Sequence, residues 1–142
     1  MQNYQNHRRF VPLYHYILSI VLLAAIVGSF VNLSDSWHNH NNLYSASLIC
    51  LILFILTGYY ILLRGFPLRA QDRAIRAEEN LRHYVLTGKL LDSRLLMPQI
   101  LALRFAPDEE FVALTKKAAD ENMRPNEIKK AIKDWKGDYH RV

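Results

Sequence analysis

The sequence predicts an all-α protein made of a transmembrane helical hairpin, a cytoplasmic helix and a small three-helix module. Residues 10–63 contain one formal charge, Asp35, and this apolar region is interrupted once, by a polar stretch at residues 34–42. Residues 64–142 hold sixteen of the eighteen Lys and Arg residues and twelve of the thirteen Asp and Glu residues, a composition suited to water. We therefore expect four regions: an N-terminal tail (1–11), a membrane hairpin (12–63), a basic juxtamembrane helix (64–88) and a helical module (89–142).

The hairpin prediction depends on the length of the two apolar runs. Residues 12–33 and 43–63 are 22 and 21 residues long, so as helices rising about 1.5 Å per residue each would cover the roughly 30 Å hydrocarbon core of a bilayer. Each run contains twelve Leu, Ile, Val or Phe residues, which favour insertion by about 4–7 kcal/mol in total. Two alternatives are a cleaved signal peptide for the first run and two buried helices of a soluble protein. The first run is longer than the apolar h-region of a signal peptide, which usually has about 7–15 residues. The remaining residues are too few to cover two such helices.

Positive charge predicts the orientation of the hairpin. Arg8 and Arg9 precede the first span and four arginines follow the second, whereas the loop at residues 34–42 has neither Lys nor Arg. Both termini are therefore expected in the cytoplasm. Aromatic residues near the ends of the spans are expected to anchor them at the membrane interface; they are Tyr14, Tyr16, Tyr59 and Tyr60 on the inner side and Trp37 and Tyr44 on the outer side.

Polar and small residues of the hairpin give less specific indications of helix packing and function than the apolar runs give of membrane insertion. Small residues at Ala24, Gly28 and Gly58 indicate where each helix could approach a neighbour closely, either the other half of the hairpin or another protein. The lone Cys50 is expected to be a small packing residue. His15 is interpreted as an imidazole that faces the interface, with a proton or substrate route as the alternative.

The polar loop contains the residue types that bind metal ions. These are Asp35, His38 and His40, which lie within six residues of one another. A tight site usually needs a further ligand and supporting hydrogen bonds, which so short a loop does not supply. We therefore predict a hydrated turn and no metal site.

The juxtamembrane region predicts a helix over residues 68–87 that ends before Gly88. An apolar stripe runs along this helix and comprises Ala70, Ala74, Ala77, Leu81 and Val85. Glu78 precedes Arg82 by four residues and is expected to pair with it. Candidate contacts to anionic lipid headgroups or to a partner are Arg64, Arg69, Arg73 and Arg76, with a role in topology alone as the alternative.

Three shorter helices are predicted to open at Pro98, Pro107 and Pro125, because proline suits the first helical position. The acidic residues that follow Pro107 suit the positive end of a helix; they are Asp108, Glu109 and Glu110. The last helix is expected to continue to Gly137, with Ile128, Ile132 and Trp135 on an apolar arc. A second arc is a candidate binding surface and consists of Lys129, Lys130 and Lys133. The resulting core is small, so we expect marginal stability unless it rests on a partner.

Several segments resemble a family of small bacterial two-span membrane proteins of unknown function. These segments are Asn3-Tyr4, Asn6-His7, residues 9–15, Gln71-Asp72-Arg73, Ile75-Arg76, Glu78-Glu79, residues 101–106, Asp108-Glu109-Glu110, residues 128–133, Trp135, Asp138-Tyr139 and Arg141-Val142. The resemblance covers most of the chain and implies a bacterial inner-membrane location with the soluble part inside. It implies no activity and no catalytic residues.

The function predicted from these observations is that of a non-catalytic accessory or scaffolding membrane protein. No phosphate-binding glycine loop, GxSxG, HExxH or CxxC motif is present, so we expect neither an enzyme nor a cofactor. The expected partners are the lipid bilayer and either another membrane protein or a second copy. An alternative is a membrane-tethered nucleic-acid or ribosome binder, which a net charge of about +4 over residues 64–142 favours weakly. A subunit of a transport complex is a third interpretation.

Overall fold

The computed structural model describes residues 3–6, 10–37 and 40–138, and within them every regular element is helical, as predicted. A π-helical turn, Leu13–Leu18, leads into α1 (Ser19–Asp35). The helices α2 (His40–Thr87), α3 (Met97–Leu103), α4 (Asp108–Asp120) and α5 (Pro125–Ala131) follow. The chain divides into two compact units, Arg9–Phe66 and Pro67–Val142, with Met1–Arg8 belonging to the second.

Within the described residues, two helices are long and apolar enough to cross a membrane. The first is Leu13–Asp35 and the second lies within α2; their most apolar 18-residue windows have mean hydropathies of 2.3 and 2.4. Only 6% of each window is buried inside the protein. A core helix of a water-soluble protein would be largely covered by its neighbours, so the exposure of these windows is typical of helices that face lipid.

The two apolar helices contact each other along a regular seam. Their less exposed residues recur at alternating spacings of three and four, the pattern of helices that pack side by side. These residues are His15, Ser19, Leu22, Ile26, Ser29, Leu33 and Ser36 on the first helix and Leu43, Ala46, Cys50, Leu53, Thr57, Tyr60 and Arg64 on α2. The Cys50 thiol lies 3.4 Å from the Ser29 carbonyl oxygen. Gly28 and Gly58 have open space around them, so these glycines do not bring the two helices together.

The π-helical turn at Leu13–Leu18 has a local cause. The Ser19 hydroxyl donates to the carbonyl oxygen of Tyr14 at 3.2 Å, and the Tyr60 hydroxyl approaches the same oxygen at 3.1 Å. Side chains that bond a helix carbonyl in this way take it out of the regular ladder and widen the turn. The turn therefore marks the place where α2 contacts the start of the first apolar helix.

Helix α2 is continuous over 48 residues, so the predicted break between the second span and a separate helix at residues 68–87 is wrong. Pro67 lies inside α2, where it lacks the N–H that would bond the carbonyl of Leu63. Residues 68–86 include many Ala, Leu, Arg, Gln and Glu residues, which favour a helix and offset this local loss. The helix ends as predicted at Gly88, whose φ of +72° and N–H bond to the Tyr84 carbonyl form the cap.

The three short helices enclose one apolar core, to which α3 contributes most by packing on both α4 and α5. The largest fully buried apolar side chains are Phe105, Phe111, Leu103 and Ile128. The buried side chain of Gln99 accepts a hydrogen bond from the N–H of Leu96 and donates one to the Met123 carbonyl at 2.9 Å. This amide thus joins the start of α3 to the turn between α4 and α5.

Helix α5 ends at Ala131, so the predicted continuation through Trp135 to Gly137 is wrong. Ile132 adopts an extended conformation, and the N–H groups of Lys133 and Asp134 donate to the carboxylate of Glu110 at 3.0 and 3.1 Å. These bonds replace the helical bonds of the next turn. Trp135 still belongs to the core, because its ring stacks on Phe105 with centroids 5.0 Å apart.

Candidate functional site

Arg82 joins the C-terminal part of α2 to the start of α4. Its guanidinium contacts the Glu79 carboxylate at 3.1 Å and the Asp108 carboxylate at 2.6 Å, and it donates to the Ala106 carbonyl at 2.8 Å. It also lies 4.2 Å from the centroid of the Phe111 ring. We call Glu79, Arg82, Asp108 and Phe111 the Arg82 cluster.

Glu79 is the buried acid of this cluster, with a side chain only 10% exposed. It takes the place that the sequence assigned to Glu78, so the predicted Glu78–Arg82 pair is wrong. Burial raises the pKa of the Glu79 carboxyl, and the neighbouring Arg82 guanidinium opposes this effect. The ionised carboxylate therefore depends on Arg82 for its stabilisation.

A polar cleft of about 440 Å³ lies beside the Arg82 cluster. Its walls are formed by Ile75, Glu78, Glu79, Arg104, Lys136, Gly137 and Asp138. Arg104 and Asp138 form an ion pair at 3.0 Å, and the Lys136 N–H donates to the Phe105 carbonyl at 2.8 Å, which fixes the last segment against the core. Acidic and basic side chains both line the cleft, so it is a polar surface without a single dominant charge.

The predicted arginines of the juxtamembrane region differ in their surroundings. Arg69, Arg73 and Arg76 are exposed and lie on one side of α2 at spacings of four and three. Arg64 is half-buried, with its guanidinium 5.9 Å from the centroid of the Tyr14 ring. The first three form an exposed basic stripe, whereas Arg64 takes part in the packing of the two apolar helices.

The three predicted lysines do not share one helical arc, because Lys133 lies beyond the end of α5. Lys129 is half-buried with its amino group 5.8 Å from the Phe105 ring, and the exposed Lys130 lies 5.6 Å from the Tyr4 ring. Two of the three lysines are thus in contact with aromatic rings of their own chain. This arrangement differs from the predicted basic helix face.

Among the predicted interface aromatics, Tyr14 and Tyr60 contact each other. Their rings stack with centroids 4.5 Å apart, and the Tyr14 hydroxyl donates to the Tyr60 carbonyl at 2.5 Å. The Ser19 hydroxyl lies 2.6 Å from that of Tyr60. The other four predicted interface aromatics are exposed: Tyr16, Trp37, Tyr44 and Tyr59.

His15 contacts residues of its own segment. Its Nδ1 atom lies 3.0 Å from both the N and the O of Val11, and its ring meets Phe10 and Tyr14 edge-on. His15 therefore has local partners in the first turn of the helix. Within the described residues no group of three or more potential metal ligands is found; His38 and the side chain of His40 lie outside them.

The apolar stripe of α2 does not face the core of the module. Ala70, Ala74 and Ala77 are exposed, and Leu81 and Val85 are 63% and 75% exposed. Another side of the helix, with Ile75 and Glu79, is buried instead. Periodicity located the stripe, but it gave no sign of the contact between Arg82 and Asp108, because no local pattern links residues 26 positions apart.

The comparisons with known proteins identify a family without identifying an activity. A model of a family described as a family of unknown function, DUF6526, matches residues 1–142. The chain belongs to this family. No curated protein and no solved structure is significantly similar to it. The resemblance to an uncharacterised family is thereby confirmed.

Proposed function

We propose that this chain is a non-catalytic integral membrane protein that acts as an accessory or scaffolding subunit. In this proposal α1 and the part of α2 before Pro67 form a transmembrane hairpin in a bacterial inner membrane, with both termini in the cytoplasm. The helical module and the exposed basic stripe of α2 are then available to a cytoplasmic or membrane-associated partner, or to anionic headgroups.

The proposal rests mainly on which side chains are exposed in residues 9–66. Large apolar side chains are exposed and small polar ones are buried, the opposite of the arrangement in a water-soluble protein. Phe54 is 78% exposed, whereas Ser29, with a hydroxyl bonded to the Ile26 carbonyl, is buried. Exposing a large apolar surface to water is unfavourable, at about 25 cal/mol per Å². In lipid the same surface is well solvated, and small polar residues favour helix–helix contact.

The basic stripe formed by Arg69, Arg73 and Arg76 supports the accessory role. All three side chains are exposed and carry charge on one side of α2. A basic residue near an anionic membrane surface contributes about 1 kcal/mol, and arginines also form paired bonds with carboxylates and phosphates. The stripe is therefore suited to an anionic partner surface.

Membrane insertion and orientation can be tested with single cysteines in a Cys50→Ala background. We expect the protein to resist extraction from membranes by alkaline carbonate. Ser34→Cys should react with an impermeant thiol reagent in intact cells, and Glu121→Cys only after lysis; both positions are exposed. Release by carbonate would contradict membrane insertion, and the reverse labelling pattern would contradict the orientation.

The partner can be tested by affinity purification of the full-length chain in a mild detergent. We expect a stoichiometric partner whose recovery decreases when Arg69, Arg73 and Arg76 are all changed to Gln. The matched control changes three exposed basic residues of the module to Gln, namely Lys116, Lys117 and Arg124. Equal recovery with both triple variants would contradict a specific role for the basic stripe.

A further inference from the structure

The apolar stripe of α2 has no partner within the described part of the chain. Beyond Pro67 the sequence is rich in charged residues. Within the stripe, however, Leu81 and Val85 are exposed, and the neighbouring Tyr84 is 52% exposed. The Arg82 cluster holds another side of the helix against α4. Contiguous exposed apolar residues with a polar rim mark interaction surfaces.

The spacing of the stripe shows what kind of partner it fits. The first four residues of the stripe and the neighbouring Tyr84 recur at spacings of four, three, four and three, as residues at the two core positions of a heptad repeat do; they are Ala70, Ala74, Ala77, Leu81 and Tyr84. In this register Arg73 lies on one flank of the stripe and Glu78 on the other. They are five residues apart, and this is the separation at which flanking residues of two parallel helices meet.

Arg73 and Glu78 are therefore complementary across a parallel pair of identical helices. Each copy would place its Arg73 against Glu78 of the other copy, which gives two ion pairs related by a twofold axis. Both residues are exposed, and neither forms an ion pair within residues 3–6, 10–37 and 40–138. In an antiparallel pair each flank would face the same flank of the other copy, and this charge complementarity would be lost.

We propose that the apolar stripe of α2 binds the same stripe of a second copy, forming a parallel homodimer with Arg73–Glu78 pairs on both sides. The parallel orientation rests on the proposed membrane insertion, because two copies with the same topology in one membrane point in the same direction. The helix is already folded as part of α2, so association does not have to nucleate it. Confinement to one membrane raises the effective concentration of the copies, which compensates for a short contact.

The proposal can be tested by cross-linking in isolated membranes with a short bis-maleimide. The full-length protein carries Cys50→Ala and either Ala77→Cys, in the centre of the stripe, or Arg76→Cys, an exposed position one residue away on another side of the helix. We expect a cross-linked dimer with Ala77→Cys and little with Arg76→Cys. Equal cross-linking at both positions, or none at Ala77→Cys in membrane-inserted protein, would overturn the proposal.

Charge exchange tests the pairing itself. In the Ala77→Cys protein, Arg73→Glu or Glu78→Arg alone should lower cross-linking roughly fivefold or more, because two attractive pairs become repulsive. Coexpression of the two single variants should restore it as a mixed dimer, since each copy then supplies the charge that the other lacks. Unchanged cross-linking in the single variants, or no recovery on mixing, would overturn the parallel register.

Two further measurements distinguish failure of the dimer proposal from failure of the proposed membrane insertion. Emission from Trp135, which stacks on Phe105, reports in a Trp37→Phe background whether each variant retains a folded module. Carbonate extraction of the same membranes reports insertion. Protein that stays inserted and folded without cross-linking contradicts the dimer alone, whereas cross-linked protein that carbonate releases contradicts the proposed membrane function alone.

Discussion

The apolar helix pair and the helical module differ in which side chains they bury and which they expose. The pair places Ser, Cys, Thr and Tyr side chains beside Leu and Ile along its seam and exposes most of its other Leu, Ile and Phe residues. The module buries apolar side chains, chiefly Leu103, Phe105, Phe111 and Ile128, and exposes Lys and Glu. This difference is the one expected if the helix pair lies in lipid, as proposed, and the module lies in water. In water the burial of apolar surface drives packing, whereas between lipid-facing helices close contact and hydrogen bonds do so.

The largest test of this contrast is removal of an aromatic ring from each region. Phe111→Ala should destabilise the module by about 3–5 kcal/mol, because the ring is fully buried and its loss leaves a cavity. Phe54→Ala, at an exposed position of α2, should change the stability of the helix pair by less than about 0.5 kcal/mol. Urea unfolding in mild detergent, followed by Trp135 emission in a Trp37→Phe background, measures the first loss.

The loss of stability caused by Phe54→Ala is measured on the apolar helix pair, with Trp37 as the fluorescent probe. Unfolding of the helix pair in SDS is followed by Trp37 emission in a Trp135→Phe background, so that each variant is compared with its own parent. Similar losses for Phe111→Ala and Phe54→Ala would contradict the contrast between the two regions.

A smaller effect is expected from Arg82, whose guanidinium contacts the carboxylates of Glu79 and Asp108. Arg82→Ala should cost about 2–3 kcal/mol at pH 7, because Glu79 stays buried without its cation. Urea unfolding followed by Trp135 emission measures this cost as well. A loss no larger than that of an exposed arginine, as in Arg124→Ala, would show that the Arg82 cluster does not hold α4.

The pH dependence of Arg82→Ala sharpens this prediction. Burial raises the pKa of Glu79, so the folded state keeps this proton at pH values where the unfolded chain has released it. The free energy of unfolding therefore falls as pH rises from about 4.3, the usual value for Glu, through the raised pKa. Without Arg82 the pKa of Glu79 is raised further, so the fall should be larger and extend to higher pH. Adding Glu79→Gln to the same protein should remove this contribution.

The smallest expected effect concerns a hydroxyl in the seam. Tyr60→Phe should destabilise the apolar helix pair by about 0.6 kcal/mol, the typical value for a hydrogen bond between membrane helices, because the Tyr60 hydroxyl bonds Ser19 and Tyr14. Unfolding in SDS, followed by Trp37 emission in a Trp135→Phe background, can detect it. Tyr59→Phe is the matched control, since Tyr59 is exposed, and an equal shift would contradict the role of the Tyr60 hydroxyl.

Local sequence signals predicted those features that depend on neighbouring residues. Hydrophobic runs located the two apolar helices, and Gly88 located the end of α2 because only a few residue types accept a positive φ. The change in composition after Leu63 suggested a separate helix at residues 68–87, but α2 continues through this point and through Pro67. The effect of a proline inside a helix depends on the residues around it and on contacts made far along the chain.

Features of the candidate site that depend on distant residues could not be predicted in this way. Periodicity showed that residues 70–85 carry an apolar stripe, but periodicity gives no information about what covers a stripe. The pairing of Arg82 with Asp108 likewise needs the position of α4. Trp135 was correctly placed with the core, although by stacking on Phe105 and not by lying on a helix.

The point at which α5 ends depends on the carboxylate of Glu110, which belongs to α4. Lys133 and Asp134 donate to it, so the chain leaves the helix at Ala131 only when α4 is in place beside it. A peptide of residues 125–137 alone lacks that acceptor, and its N–H groups are then free to continue the helix toward Gly137. The conformation of residues 132–135 thus depends on the assembly of the whole module, and this short segment couples the start of one helix to the end of the next.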